Sequence, residues 1–158
     1  MRFELGQRFD APAADVASAY DDPALYDTLV GLPKLGRVEV LDHQVSTGHV
    51  RLRARFAFTG DLPGAATAII DPKRLTWVQD SDHDLATGVT TFRLIPDHYP
   101  DRLQASGTFR VKPDPAGAGS TRSVTGELKV RVLLVGGQVE QAIVSGLGEY
   151  LDAEAPAV

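Results

Sequence analysis

The sequence predicts an α+β fold in which an antiparallel sheet packs against one long C-terminal helix. Three observations indicate this fold. Apolar residues alternate with period two through the middle of the chain, hairpin-length connections rich in turn residues separate these segments, and the last segment repeats its apolar residues with a helical period. The chain has 158 residues, a length that suits one domain. We therefore expect residues 1–158 to form a single domain.

The chain is predicted to begin with a strand and two short helices. Alternation gives the strand one inward side, formed by Phe3, Leu5, Gln7 and Phe9. Pro12 suits the first turn of a helix, and that helix has an apolar stripe of Val16, Ala19 and Tyr20. Asp22 and Pro23 suit the N-cap and first position of a second helix, whose apolar residues are Leu25, Tyr26, Leu29 and Val30. We expect Gly31 to end it.

Residues 35 to 132 predict about seven further strands separated by turns. The clearest strand has Val50, Leu52, Ala54, Phe56 and Phe58 on one side and Arg51, Arg53 and Arg55 on the other. Residues 66–70 predict a short strand, residues 71–74 a tight turn and residues 80–88 an acidic connection. Other strands are expected around residues 38–40, 75–79, 89–95, 103–111 and 124–132. Residues 113–120, rich in Pro, Gly and Ala, predict a mobile hairpin loop.

The final segment predicts a helix that is held by docking on the sheet. Its apolar stripe consists of Val139, Ala142, Ile143, Gly146, Leu147 and Tyr150. Glycines weaken a helix by about 1 kcal/mol each relative to Ala in interior positions, and this segment contains Gly136, Gly137, Gly146 and Gly148. Its stability must therefore come from tertiary contacts.

Small residues on the predicted inner surfaces leave two interpretations open. They are Ala54, Ala105, Gly107 and Gly126 on the sheet, with Ala142 and Gly146 on the helix. Either they allow the helix and sheet to approach closely, or they widen a pocket between them.

The composition argues against several classes of partner. The formal net charge is −5, which disfavours nucleic acid because binding to phosphates needs surplus Lys and Arg. No apolar run approaches the roughly 20 residues that a membrane-spanning helix needs, and the first residues lack a secretory signal. The absence of cysteine removes disulfides and thiolate chemistry. We expect a cytoplasmic protein with no integral membrane contact.

Two motifs near the N-terminus and one at the C-terminus resemble a known superfamily. The segment Phe9-Asp10-Ala11-Pro12-Ala13-Ala14-Asp15-Val16, followed by Asp22-Pro23-Ala24-Leu25-Tyr26, resembles the opening of the START/polyketide cyclase/birch-pollen-allergen (SRPBCC) superfamily. The closing residues 136–151 resemble its C-terminal helix, and within the superfamily the sequence is most similar to an uncharacterised bacterial branch. The resemblance implies a helix-grip fold. In this fold a curved antiparallel sheet wraps around the long helix, two short helices follow strand 1, and a cavity for apolar molecules lies between sheet and helix.

The sequence contains no recognisable catalytic or metal-binding motif. Asp80, Asp82 and Asp84 resemble the start of a calcium loop, but Leu85 and Thr91 stand where that loop needs Gly and Glu. The four histidines lack the spacing of a zinc site, there is no Gly-x-Ser-x-Gly nucleophile motif, and no Asp or Glu lies on a clearly apolar face. We favour a solvated acidic hairpin at residues 80–84 and predict no cofactor.

Several side chains allow both a structural and a functional interpretation. Arg51, Arg53 and Arg55 form either a patch for an acidic partner or, as we favour, a solvated outer face paired with neighbouring Asp and Glu. Trp77 is either a core aromatic, the interpretation we favour, or a cavity wall. The polar groups of Gln7, Gln79 and Tyr150 lie on apolar faces and need a partner, which is backbone or water in a closed core and a ligand in a hollow one.

These observations lead to three functional hypotheses. The first is non-catalytic binding or transport of a hydrophobic small molecule or lipid in the cavity. Its expected ligand-binding residues are Phe56, Phe58, Trp77, Gln79, Phe92, Phe109, Leu128, Val139, Ile143 and Tyr150. The second is a polyketide cyclase/aromatase-like enzyme using the same cavity, and the third is a protein-interaction module. We assign no catalytic residue and no metal ligand, and the sequence predicts no oligomeric state.

Overall fold

A curved antiparallel sheet and a long helix that lies against its inner face form the two layers of the molecule. The computed structural model describes residues 1–115 and 117–158. Within these ranges the sheet has seven strands in the order β1-β7-β6-β5-β4-β3-β2. The strands are β1 (Arg2–Phe9), β2 (Glu39–Ser46), β3 (His49–Ala57), β4 (Thr76–Asp84), β5 (Val89–Pro96), β6 (Leu103–Pro113) and β7 (Ser120–Val130). The helices are α1 (Ala13–Asp21), α2 (Pro23–Thr28), α3 (Gly64–Thr67) and α4 (Gly136–Glu154), with short 3₁₀ helices at Pro72–Arg74 and Ala155–Ala157. This is the helix-grip α+β fold that the resemblance implies.

The two short helices after β1 lie where the sequence predicts them. The Asp22 side chain caps α2 by accepting a hydrogen bond from the Ala24 amide at 2.9 Å. α2 ends at Thr28, before the predicted stop at Gly31. Leu29 is fully buried, as the predicted apolar stripe requires. Val30 is 65% exposed, so the prediction that it belongs to this stripe is wrong.

Residues 66–70 do not form the predicted strand. They continue from α3, in which the amides of Ala66 and Thr67 both donate to the Pro63 carbonyl. The Ile70 amide then donates to the Ala66 carbonyl at 2.8 Å. A helical turn satisfies these backbone groups locally, and it buries the apolar side chains of Ala66 and Ile70 without a neighbouring strand. The predicted tight turn follows as the 3₁₀ helix, capped by the Asp71 side chain on the Lys73 amide.

The predicted acidic connection at residues 80–88 is also wrong. Residues 80–84 continue β4 to Asp84, so the connection to β5 comprises residues 85–88 only. The Asp80 carboxylate, 9% exposed, lies between the guanidinium groups of Arg51 and Arg93 on the neighbouring strands. Cross-strand charge pairs of this kind allow acidic residues to occupy a strand. The same extension places Ser81 and His83 on the inner face of the sheet.

The remaining strand boundaries differ from the predictions in two places. The described residues contain six strands after β1 rather than about seven. β7 begins at Ser120 and not near Val124, which adds Arg122 to its inward-facing residues. The predicted mobile loop at residues 113–120 includes Ala116, which lies outside the described residues. The residues that flank this position are joined by a hydrogen bond from the Asp114 amide to the Gly119 carbonyl at 3.0 Å.

The small residues of the inner surface mainly allow close approach. Gly107 pairs directly with Gly126 across β6 and β7. A Cβ at Gly107 would overlap the Thr125 carbonyl oxygen and lie 2.8 Å from Phe92 Cζ, and one at Gly126 would lie 2.7 Å from Phe3 Cζ. The rings of Phe92 and Phe3 therefore lie over bare backbone. Ala105, in contrast, lines a cavity.

Candidate functional site

An apolar cavity of about 90 Å³ lies between the inner face of the sheet and α4. Its wall includes side chains from β3, β4, β5, β6, β7 and α4. The predicted ligand-binding residues in the wall are Phe56, Phe58, Trp77, Gln79, Phe92, Phe109, Leu128, Ile143 and Tyr150. Val139 is the exception, because it lies in the first turns of α4 and is completely buried among core residues away from the cavity. That the wall residues bind a ligand stays a prediction.

Two stacked aromatic pairs form much of the apolar wall. The rings of Phe56 and Trp77 lie 6.2 Å apart between centroids at an interplanar angle of 14°. Those of Phe92 and Phe109 lie 4.4 Å apart at 11°. Trp77 is 6% exposed, so it satisfies both interpretations of its role, packing as a core aromatic while also facing the cavity.

A buried polar network centred on Gln7 adjoins one end of the cavity, where its members Tyr20, Arg122 and Glu154 line the wall. Gln7 Nε2 donates to the Leu151 carbonyl at 2.8 Å and to Glu154 Oε1 at 3.2 Å, near the C-terminus of α4. Its Oε1 accepts from Arg122 Nη1 at 2.7 Å. The Tyr20 hydroxyl donates to Glu154 and also lies 3.2 Å from Gln7 Oε1. Both ends of the Gln7 amide are thus satisfied by groups from β7, α1 and α4.

Arg122 is held in this network by two aromatic rings. Its guanidinium carbon lies 3.9 Å from the ring centroid of Tyr20 and 4.1 Å from that of Phe109. Arg122 is 6% exposed, and it makes no ion pair with any of the residues that the structure describes. Cation–π contacts with these two rings compensate part of its lost hydration.

Three tyrosines border the same end of the cavity as neutral phenols. Burial raises the pKa of Tyr20 and of Tyr26 well above the ordinary value, and the Arg122 charge only partly opposes this rise. Burial also raises the pKa of Tyr150, and the neighbouring Glu154 carboxylate adds to the effect. The Tyr150 hydroxyl, fully buried, has no hydrogen-bond partner among the described residues. Phenols with raised pKa values remain proton donors at neutral pH.

A smaller and more polar cavity of about 40 Å³ adjoins the first. The side chains shared by the two walls are those of Tyr20, Tyr26, Gln79, Phe109 and Arg122. The second cavity also contains His83, whose Nδ1 lies 2.6 Å from Asp21 Oδ2. His83 is 8% exposed, so the expectation of a solvated acidic hairpin at residues 80–84 does not hold for its inward-facing side.

Sequence reasoning missed the two charged residues of the polar end. The expectation that no acid lies on an apolar face is wrong, because Glu154 is 4% exposed and follows Tyr150 by four residues on the same stripe of α4. Arg122 precedes Val124 by two residues and therefore shares its inward face. Extending each pattern by one repeat would have found both residues.

The outer face of the sheet carries the three arginines of β3, of which Arg51 and Arg55 are paired with acidic residues and Arg53 forms no ion pair with any described residue. Arg51 lies 3.4 Å from Asp80, and Arg55 makes two hydrogen bonds to Asp97, at 3.0 and 3.1 Å. This is the solvated, charge-paired arrangement that the sequence interpretation favours. Separately, no helix among residues 1–115 and 117–158 is long and apolar enough to cross a membrane.

Comparison with protein families assigns the chain. The model of the DUF2505 family, described as "Protein of unknown function (DUF2505)", matches residues 4–158. The chain belongs to the DUF2505 family. No curated protein matches this DUF2505 chain.

Solved structures share the fold of this DUF2505 chain at low sequence identity. TTHA0849 from Thermus thermophilus matches with a TM-score of 0.68 and 15% identity, over 99% of this chain and 93% of that one. Norcoclaurine synthase from Thalictrum flavum matches with a TM-score of 0.63 and 17% identity, over 99% and 84% of the two chains. Ms6760 from Mycobacterium smegmatis matches with a TM-score of 0.61 and 14% identity, over 99% of this chain and 90% of that one. These likenesses support the helix-grip fold that the sequence resemblance implies.

Proposed function

We propose that residues 1–158 act as one helix-grip domain that binds a small hydrophobic molecule in the cavity between the sheet and α4. The observation that carries the proposal is the cavity itself. It is enclosed by aromatic and aliphatic side chains, and a few polar groups gather at one end. An apolar cleft with a small number of placed polar groups is the usual form of a ligand site.

The size of the cavity favours a small ligand over a long lipid. Its volume of about 90 Å³ is below the roughly 300–1,000 Å³ of typical ligand pockets. An engineered protein cavity of about 150 Å³ binds benzene. A single-ring or short aliphatic molecule therefore fits with modest displacement of the wall side chains, and we propose this class of ligand.

Filling the cavity tests the proposal. Ala105 lies in the wall on β6, and its neighbour Ser106 points to the exposed outer face. In A105L the added carbons occupy the ligand space, so toluene affinity, measured by NMR titration, falls by about tenfold or more. In S106L, a matched addition on the opposite face, affinity stays at the wild-type value. Unfolding of both variants is followed by thermal melting.

Two results would contradict the proposal. One is wild-type protein that binds neither toluene nor benzyl alcohol at millimolar concentration. The other is toluene affinity that A105L leaves unchanged while the variant melts as a folded protein, since the ligand would then lie elsewhere.

A catalytic use of the same cavity is the second candidate. It is favoured by the ionisable groups at the cavity wall, namely Arg122, Glu154 and the protonated phenols of Tyr20 and Tyr150. An enzyme of the cyclase kind needs such groups to transfer protons. Mass spectrometry of carbonyl-containing aromatic compounds after incubation with the protein distinguishes the two roles. A carrier returns them unchanged, whereas an enzyme converts them and loses the activity in Y150F.

A further inference from the structure

Arg122 is a buried cation for which the described residues supply no anion in contact. Within residues 1–115 and 117–158, only its Nη1 donates a side-chain hydrogen bond, and the acceptor is the neutral amide oxygen of Gln7. Removing a charge from water costs several kcal/mol unless the charge is paired. Glu154 is separated from this charge by two shared neighbours: Gln7 bonds to both residues, and Tyr20 packs its ring on Arg122 while its hydroxyl donates to Glu154.

The rings of Tyr20 and Phe109 limit where a partner for Arg122 can bind. Because these two rings pack against the guanidinium group, hydrogen-bond acceptors must approach the part of it that the rings leave open. Gln7 occupies some of this open part. Arg122 also lines both cavities, so a ligand in the first cavity would lie next to its side chain.

Tyr150 provides a second and independent indication. Its hydroxyl is buried without a hydrogen-bond partner among the described residues, and the residue lines the same apolar cavity. A buried hydroxyl without a partner is rare and destabilises the folded state. Glu154 lies close enough to Tyr150 to raise its pKa, and the hydrogen bonds that Glu154 accepts from Gln7 and Tyr20 both end on Oε1.

We propose that the ligand carries a carboxylate, which binds to the guanidinium edge of Arg122 and accepts a hydrogen bond from the Tyr150 hydroxyl. The apolar body of the ligand then occupies the aromatic cavity. A guanidinium group is suited to this role because its planar N–H groups match the two oxygens of a carboxylate. This inference rests on the proposed function and adds the chemical class of the ligand.

Three single-ring probes that differ in one substituent test the inference. Benzoate, benzyl alcohol and toluene are titrated into the protein at pH 7, where benzoate is ionised, and their affinities are measured by NMR. We expect benzoate to bind at least about tenfold more tightly than benzyl alcohol. R122M abolishes this preference while toluene affinity is kept, R122K retains part of it, and Y150F reduces it by a few fold.

The probes separate failure of this inference from failure of the proposed function. If toluene and benzyl alcohol bind but benzoate binds no more tightly, the carboxylate site is wrong and the apolar cavity remains. If none of the three binds, the proposed function is wrong. The ratio of the benzoate and benzyl alcohol affinities of the wild-type protein tests the carboxylate site even if R122M does not fold. A preference for benzoate that stays at the full wild-type value in both R122K and Y150F overturns the assignment to these two residues.

Discussion

The two ends of the cavity hold their side chains by different physical means. At the apolar end, rings such as those of Trp77 and Phe92 are positioned by packing, and many neighbours share the energy. At the polar end, the Gln7 side chain holds Arg122 of β7, Tyr20 of α1 and the C-terminal turns of α4 by directional hydrogen bonds. The difference teaches that the apolar end responds to changes of volume, whereas the polar end responds to the loss of a single partner.

Replacing each of the two inward glutamines by leucine gives the largest expected contrast. Q7L removes the acceptor of Arg122 Nη1 and the donor to Leu151 and Glu154, which leaves buried charged groups unsatisfied. We expect the free energy of unfolding to fall by about 3 kcal/mol. Q79L removes an amide with no side-chain hydrogen bond to any described residue, and its cost stays within about 1 kcal/mol. Urea denaturation of the wild type, Q7L and Q79L measures the loss in free energy of unfolding for each variant.

Equal losses in Q7L and Q79L would remove the distinction between the two ends. The Gln79 variant is a strict control because both glutamines lie on inward faces of the same sheet and undergo the same change in size and polarity.

Adding one methyl group at Gly107 tests the apolar end, and the same addition at Gly6 is the control. In G107A the new Cβ would meet the Thr125 carbonyl oxygen and the Phe92 ring, so we expect a loss of about 2 kcal/mol from overpacking. Gly6 on β1 has no atom within 4 Å of a Cβ position, and G6A changes stability by less than about 0.5 kcal/mol. Thermal melting compares the variants. A stable G107A protein would show that the aromatic wall moves freely over the strand.

The smallest effect is expected on the outer face of the sheet. The hydrogen bonds from Arg55 lower the pKa of Asp97, although partial burial opposes this shift. The native state therefore favours ionised Asp97. The resulting stabilisation is present above the ordinary Asp pKa and is lost as the pH falls through the lowered native value.

Substitution of Asp97 checks this pH dependence. We expect D97N to lower the melting temperature by about 2 °C at pH 7, because an exposed pair contributes little. The difference from wild type disappears at pH 2. A difference that persists at pH 2 would assign the effect to the lost hydrogen bond to Thr76 rather than to charge.

Much of the fold and of the apolar wall could be predicted from the sequence because both follow from periodicity. Alternation on β3 places Phe56 and Phe58 inward, and the stripe on α4 places Ile143 and Tyr150 opposite them. Val139 belongs to the same stripe but lies outside the cavity wall. Periodicity assigns a face of an element, and it does not say where along that face the space between layers remains open.

The polar end could not be predicted in the same way because its contacts join distant segments. Alternation identifies Gln7 as a polar group on an apolar face, but its partners Arg122 and Leu151 come from the other end of the chain. Likewise, the sequence pattern assigns Asp80 to a connection because its carboxylate suits a loop, whereas the arginines that keep it in a strand lie on β3 and β5. Local propensity yields to such tertiary partners.

The shared partition between the two cavities bears on how long a ligand can be. Its five side chains include Arg122, and the polar space around His83 begins directly behind them. A ligand longer than the first cavity would meet these five side chains before it reached the space around His83. The length of molecule that fits is therefore set by the partition as well as by the apolar wall.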